Sequence, residues 1–389
     1  MTRRTSGLRI VRLANFVTAR SGGLRTALRH LGEGYRAAGH DPVLVVPGER
    51  AADESYPWGR VVTLPGPELP GTGGYRLLAG RRRLARLLAD LAPDRLEVSD
   101  RSSLRWTGSW ARANGVPSVM VSHESLAGLL GQWGVPDALR RPTADRLNRA
   151  TSRAYDRIVC TTRWAADEFD RIGAGNVDLV PLGVDLDTFH PDRADPRLRE
   201  RYADPTELLL VHCARLSPEK RPELAVQTLA ELRRAGVPAV LVMAGDGPQR
   251  AALARRAAGL PVTFTGFLPD RAAVAALLAS ADVVLAPGPV ETFGLAGLEA
   301  LACGTPVVVN AASALPEVVG VAGVAAYGSG ASMAEAVSRL AARPRARRRR
   351  DARARAEEFG WPAAVAGFLR VHDADTGRDT AAEVDHPTA

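Results

Sequence analysis

Short apolar runs rich in Val and Leu recur along the chain, each followed by a stretch with apolar residues at every third or fourth position. The first pattern predicts buried strands, the second amphipathic helices, and their alternation predicts parallel sheets covered by helices. In the first half the runs fall at 8–13, 43–46, 61–64, 96–99, 118–121, 157–160 and 177–180. Helices are predicted between them, at 24–38, 75–91, 104–114 and 163–171. The pattern restarts at 207–213 and continues through 240–243, 262–265, 283–285 and 307–309. Segment 185–205, rich in Asp, Pro and Arg, reads as the linker between the halves. The expected architecture is α/β: two doubly wound, Rossmann-like parallel-sheet domains facing across a cleft, with ligands beyond the carboxyl ends of the strands. The expected domains are 1–185 and 186–372, with the final helix crossing back to the first, and a polar, disordered tail at 373–389.

Composition narrows the class. A chain of 389 residues with 46% hydrophobic and 24% charged content reads as a soluble globular protein. No run reaches the roughly 18 apolar residues of a membrane span. Arg9 and Arg12 interrupt the first apolar run, so it reads as a strand rather than a signal peptide. Cys160, Cys213 and Cys303 lie far apart in or near apolar segments and read as reduced thiols of a cytoplasmic protein. Of 51 basic residues 50 are arginine, and the single lysine is Lys220. An ammonium and a guanidinium are not interchangeable, so the neighbourhood of Lys220 is worth reading closely.

The net charge of +8 raises nucleic acid as a partner, but no finger, basic zipper or aromatic RNA-binding motif accompanies it. The arginine run at 343–355 reads as a solvated helix face. Within 75–91, Arg81, Arg82, Arg83 and Arg86 accompany Leu77, Leu84, Leu88 and Leu91 at helical spacing, with Gly80 weakening the helix. Such a helix either lies on anionic lipid or packs on the sheet with a solvated basic face.

Candidate chemistry collects behind the strands of the second half. After 207–213 comes Ala214-Arg215-Leu216-Ser217-Pro218-Glu219-Lys220-Arg221-Pro222, which places two cations on one strand-to-helix turn. Met243-Ala244-Gly245-Asp246-Gly247-Pro248 and Thr265-Gly266-Phe267-Leu268-Pro269 follow two further strands, and Asp246 reads as a turn former. In Glu291-Thr292-Phe293-Gly294-Leu295-Ala296-Gly297-Leu298-Glu299 a helix is expected to start near Gly294. Glu291 would precede it and Glu299 lie inside it, with the free N–H groups of Phe293, Gly294 and Leu295 available to phosphate.

In these four segments the chain resembles the retaining glycosyltransferases of family 4, which have the GT-B fold. The resemblance extends to Val180-Pro181-Leu182-Gly183-Val184-Asp185 with Phe189, to Ser21-Gly22-Gly23, and to Ser122-His123-Glu124. It covers about residues 8–372, with the first domain on the acceptor side. It implies that Arg215 and Lys220 grip the diphosphate of a sugar nucleotide and stabilise the charge that develops as it leaves. It implies that Glu291 binds sugar hydroxyls, that Glu299 binds the ribose, and that backbone around Phe267 and Leu268 meets the base. Gly22 and Gly23 would approach the phosphates, and His123 would sit near the sugar. Read from the residues alone, the competing and less favoured readings are a structural loop histidine for His123 and ordinary helix-start carboxylates for Glu291 and Glu299. The sequence departs from the family pattern at Ala214 and at Arg221-Pro222, where Gly is common.

The likeness is strongest to bacterial GDP-mannose-dependent α-mannosyltransferases, some of which act on phosphatidylinositol lipids. The expected activity is transfer of a hexose, mannose from GDP-mannose, onto a hydroxyl of a lipid or glycan. A UDP-glucose or UDP-N-acetylglucosamine transferase fits the same motifs; the alternative from another class is an inactive sugar-nucleotide or membrane-surface binding protein, against which intact Arg215, Lys220, Glu291 and Glu299 weigh. The nucleotide sugar is a co-substrate; no cofactor and no metal are expected. Asp185-Leu186-Asp187 has the spacing of a metal-binding Asp-x-Asp, but it falls at the domain junction. The expected location is the cytoplasm, peripheral at the inner face of the membrane.

Overall fold

The strand runs assemble into two sheets in the computed structural model, which describes residues 7–17, 22–69, 74–132 and 134–373. The first contains β1 (Arg9–Leu13), β2 (Asp41–Gly48), β3 (Ala52–Tyr56), β4 (Gly59–Pro65), β5 (Arg95–Val98), β6 (Ser118–Ser122), β7 (Arg157–Cys160) and β8 (Val177–Leu179). Their order is β3-β4-β2-β1-β5-β6-β7-β8, parallel except for β3, which runs against β4. The second contains β9 (Leu208–Cys213), β10 (Ala239–Ala244), β11 (Val262–Gly266), β12 (Val283–Ala286), β13 (Val307–Asn310) and β14 (Gly323–Ala326). Its order is β11-β10-β9-β12-β13-β14, so the direction of winding reverses between β9 and β12. Crevices form at such reversals, and β1 and β5 make the equivalent one in the first sheet.

The helices that shape the cleft follow these central strands. In the first domain α1 (Gly23–Ala37), α2 (Arg81–Leu91), α3 (Trp106–Ala113), α4 (Leu126–Gln132), α5 (Asp137–Ala154) and α6 (Arg163–Asp170) surround the sheet. Then come α7 (Pro196–Tyr202), α8 (Pro222–Arg234), α9 (Arg250–Arg256), α10 (Arg271–Ser280), α11 (Leu295–Ala302), α12 (Leu315–Val319), α13 (Gly330–Ala341) and α14 (Arg345–Glu357). The last helix, α15 (Trp361–Asp373), lies on α1, where the Trp361 ring stacks on His30 at 4.7 Å. It is anchored beneath the first sheet by a buried network. Glu97 receives Arg12 Nε at 2.8 Å and the Tyr35 hydroxyl at 2.7 Å, and meets His372 Nε2 at 3.1 Å. Burial alone would raise the Glu97 carboxyl, but Arg12, His372 and Tyr35 together hold it well below its usual range.

Several elements depart from the sequence expectation. The helix expected at 75–91 begins only at Arg81, because Gly80 adopts φ 81 and the preceding residues pair back on the loop, Leu69 N donating to Tyr75 O at 2.8 Å. Its leucines are spent on the core: Leu84, Leu88 and Leu91 are buried and Leu87 half-buried, leaving Arg81, Arg82, Arg83, Arg86, Ala89 and Asp90 in solvent. The arginine run at 343–355 is not simply a solvated face. Arg349 donates to the carbonyls of Ala279 and Cys303, Arg353 to that of Ala302, and Arg355 to those of Glu317 and Val318. These carbonyls end α10, α11 and α12, so the run caps three helices with charge of the favourable sign. The linker expected at 185–205 contains α7, started by the Asp195 side chain accepting from Arg197 N ahead of Pro196. The edge strands β3 and β14, and helices α4 and α5, lie outside the pattern that the sequence predicts. The tail 374–389 and Ser21 lie outside the described residues.

Candidate active site

On the donor side, β9 ends and the chain turns through Arg215 into a short 3-10 turn, Pro218–Lys220, before α8. Arg221, the hinge of that turn, has φ 49 and ψ 45. A left-handed residue before proline explains why Gly suits this position; here an arginine adopts it, with its guanidinium paired to Glu223. Lys220 Nζ forms an ion pair with Glu291 Oε1. Burial would lower the Lys220 ammonium, but Glu291 overrides that and raises it, so Lys220 is a fixed positive charge. Below it, His212 donates through Nδ1 to the Leu285 carbonyl, and burial lowers it to about 4, so it is neutral.

The loop after β10 docks onto this turn, Leu216 N donating to Asp246 O at 3.0 Å. Gly245 is required for that approach, since a Cβ there would stand 2.0 Å from the Ala214 carbonyl. At the end of β11, Phe267 is 48% exposed and Leu268 packs partly on the core.

After β12, Glu291 leads into α11. Gly294 precedes the helix with φ 76 and no side-chain cap, so the first amides of α11 are left to a ligand. Phe293 is buried against Phe359, edge to face at 5.9 Å. Glu299 lies in the second turn, its Oε1 3.3 Å from Arg271 Nη2. Burial pushes the Glu299 carboxyl up to about 7 against the pull of Arg271.

The first domain supplies the opposite wall. Gly22 precedes α1, again without a side-chain cap, and Gly23 faces Leu295, so the amino ends of α1 and α11 converge. Both helix dipoles direct positive potential at the same space. His123 follows β6; its Nε2 lies 3.2 Å from Ser99 Oγ, and burial lowers it to about 4, leaving a neutral imidazole. The His123 carbonyl receives the hydroxyl of Thr292 at 2.5 Å, and Thr292 O receives Thr162 Oγ1 at 2.9 Å. Glu317 of α12 meanwhile caps α6 by accepting from Arg163 N and Trp164 N. The loop carrying Glu291 is thus bonded across the cleft.

Beneath the His123 loop, buried Arg101 holds the Glu124 carbonyl and pairs with Glu168 at 3.4 Å. Glu168 in turn accepts from Ser125 Oγ and from the first amides of α4. Burial pushes the Glu124 carboxyl up to about 7.

Arg215, Lys220, Glu291, Phe293, Gly294, Leu295 and Glu299 thus gather around the reversal between β9 and β12, with Gly22, Gly23 and His123 facing them. Phe267 and Leu268 stand farther along the same sheet edge, at the end of β11. Asp185 caps a turn by accepting from Thr188 N at 2.9 Å. Three contributors escaped the sequence reading. Tyr75 brings its ring to 5.1 Å from the Arg215 guanidinium, hidden by the helix expected there. Thr292 sits between the sharper motif residues Glu291 and Phe293 and carries no motif signal of its own. Arg271 had one available signal, its place just after the Asp270 helix cap.

Models of known families match both halves. The one described as Glycosyltransferase Family 4 covers residues 21–188, and the one described as Glycosyl transferases group 1 covers 207–343. The GDP-mannose-dependent alpha-(1-6)-phosphatidylinositol dimannoside mannosyltransferase of Mycobacterium tuberculosis is 52% identical over 93% of this chain and 95% of its own. A GDP-mannose-dependent alpha-mannosyltransferase of Mycolicibacterium smegmatis is 29% identical over 77% of this chain and 79% of its own. Among solved structures, sucrose-phosphate synthase from Thermosynechococcus elongatus superposes with a TM-score of 0.75 at 21% identity, covering 94% of this chain and 98% of that one. The glycosyltransferase WaaG, involved in lipopolysaccharide biosynthesis, gives 0.68 at 18% identity, covering 92% and 99%.

Proposed function

The chain belongs to the family 4 glycosyltransferases and is a hexosyltransferase of the GT-B fold, and from that premise we propose that it moves mannose from GDP-mannose onto a hydroxyl of a phosphatidylinositol mannoside. The observation that carries the reading is the meeting of Lys220, Glu291 and the uncapped amides of α11 at the reversal between β9 and β12. A diphosphate needs fixed positive charge and free N–H donors at one place, and these residues supply both. The donor and acceptor rest on the likeness to the dimannoside mannosyltransferase, which extends over nearly both chains.

The reaction proceeds with retention. The bond between the anomeric carbon and the diphosphate oxygen breaks, and the acceptor oxygen bonds to the same face of the sugar. The acceptor proton passes to the departing phosphate, which Arg215 and Lys220 stabilise. Glu291 accepts from the sugar hydroxyls, Glu299 from the ribose, and backbone near Phe267 and Leu268 from the base. Neutral His123 offers a hydrogen bond beside the sugar rather than a charge. The nucleotide sugar needs no divalent cation here, because cationic side chains and helix amides occupy that role.

A donor panel of GDP-mannose, UDP-glucose and UDP-N-acetylglucosamine against phosphatidylinositol mannosides tests this. Transfer from GDP-mannose that persists in EDTA is expected. Transfer from a UDP-sugar with GDP-mannose inert would displace the donor; loss in EDTA restored by manganese would displace the metal-free mechanism.

The acceptor brings the protein to the membrane surface from the cytoplasm, where its three unpaired thiols would stay reduced. No helix among the described residues is long and apolar enough to cross a membrane. Since Leu84, Leu88 and Leu91 of α2 are buried in the core, its exposed Arg81, Arg82 and Arg83 act electrostatically, each worth about 1 kcal/mol near anionic lipid. Reversing these three charges is expected to reduce co-sedimentation with phosphatidylinositol vesicles at low salt. Unchanged co-sedimentation would assign the membrane contact to another surface.

A further inference from the structure

Arg271 opens α10 and touches three parts of the molecule at once. Its Nη2 lies 3.3 Å from Glu299 Oε1 on the donor side. Its Nη1 reaches Thr26 Oγ1, 3.5 Å away in the first turn of α1, on the other side of the cleft. Its guanidinium plane sits 4.8 Å over the ring of Phe189, in the segment that joins the domains. Its Nε is buried with no hydrogen-bond partner, so burial is tolerated here for the sake of the other contacts. A planar fork can meet two oxygens and an aromatic face together; an ammonium cannot.

We propose that Arg271 is a positioning residue that ties the carboxylate offered to the nucleotide ribose to the approach of the first domain, so that filling that subsite and closing the cleft become one event. The proposal rests on the reading of Glu299 as the ribose acceptor. Thr26 is bonded through its amide to Gly22, so a pull on Thr26 draws the Gly22–Gly23 end of α1 toward α11. Phe189 gives the guanidinium a fixed platform, since it is itself fully buried. Any shift of Glu299 toward ribose hydroxyls is therefore felt at α1, and any opening of α1 is felt at Glu299.

The charge of Glu299 depends on the same contact. Burial raises its carboxyl to about 7; Arg271 opposes the rise and Asp185, in the interdomain segment, adds to it. The thiols of Cys213 on β9 and Cys303, just past the end of α11, feel Glu299 but stay neutral, both pushed up to about 12 by burial. His30 on α1 feels Asp185 and Arg271 and is lowered by burial, while Asp185 is lowered by its bonds to Thr188 despite burial. Glu299 is thus the group at this subsite that changes charge around pH 7. Being an acid, it is ionised above that pH, and loss of Arg271, which holds it down, moves its ionisation to higher pH.

The test is GDP binding by calorimetry from about pH 6.5 to 9, with X-ray scattering of free and GDP-bound protein, for the parent, Arg271→Gln and Arg271→Lys. Arg271→Gln is expected to weaken GDP about tenfold near pH 7, as for one lost charged hydrogen-bond partner. The loss should shrink as pH rises, and the bound protein should scatter as a more open particle. Arg271→Lys should keep the parent pH dependence yet still scatter as the open form. Parent-like affinity, pH dependence and scattering in Arg271→Gln would overturn the proposal, as would a loss of affinity equal at every pH without opening. A parent protein that binds neither GDP nor UDP would overturn the functional reading itself, which separates the two failures.

Discussion

Replacing Lys220 by alanine is expected to lower kcat about 10²- to 10³-fold, the usual effect of removing one group that stabilises departing charge. Arginine at the same place should recover little of the loss, although 50 arginines serve elsewhere in the chain. The reason is local. Lys220 ends a 3-10 turn, and its ammonium is engaged by the Glu291 carboxylate. The backbone is confined as well: a Cβ on Gly288 would lie 3.3 Å from Lys220 Cα. A longer, planar guanidinium cannot occupy that point without displacing Glu291 or missing the phosphate. Stability should change far less than turnover, because the Lys220 side chain is 30% exposed and Glu291 21%, so the ion pair is half-buried rather than sealed in the core. Turnover and a denaturation curve measured on both variants check this. Near-normal turnover in Lys220→Arg would make the lysine a chance survivor of an arginine-rich composition.

Gly294→Ala is expected to damage both fold and activity. The left-handed backbone at φ 76 costs a non-glycine residue about 1–2 kcal/mol. The added Cβ would stand 2.4 Å from Leu315 Cδ2, and Leu315 is buried, so overpacking adds about 1–3 kcal/mol. The sum, about 2–5 kcal/mol, is a large fraction of the stability of a typical domain. Relief of the clash would tilt the start of α11 and misplace the amides and Glu291 together. Gly297→Ala is the control: it meets the same Leu315 atom at 3.2 Å from within the helix, where alanine is favoured. Denaturant unfolding should separate the two, and Gly297→Ala should keep turnover within a few-fold. A stable, active Gly294→Ala would contradict the assigned geometry of the α11 start.

Much of this arrangement could be read before any coordinates. The central strands are continuous apolar runs such as 307–309, each followed by a break in the apolar pattern, so the doubly wound class and the strand ends follow from local pattern. The donor cluster was legible for the same reason: its residues sit on short segments just behind strands. What escaped were features decided by distant neighbours. Tyr75 reaches Arg215 because Gly80 ends a helix that the leucine spacing alone would extend. Arg349, Arg353 and Arg355 of α14 are half-buried because three helix ends stop beside them. Arg271 and Thr26 are 245 positions apart, beyond any local pattern. The bonds joining Thr292 to Thr162 and His123 likewise depend on how the two sheets face each other.

The most direct test is the NMR spectrum of the lipid formed when purified protein is given GDP-mannose and a phosphatidylinositol mannoside. The account predicts one added mannose in α linkage, with the product absent when Lys220 is replaced by alanine. A β-linked product, free mannose alone, or undiminished transfer by Lys220→Ala would contradict it.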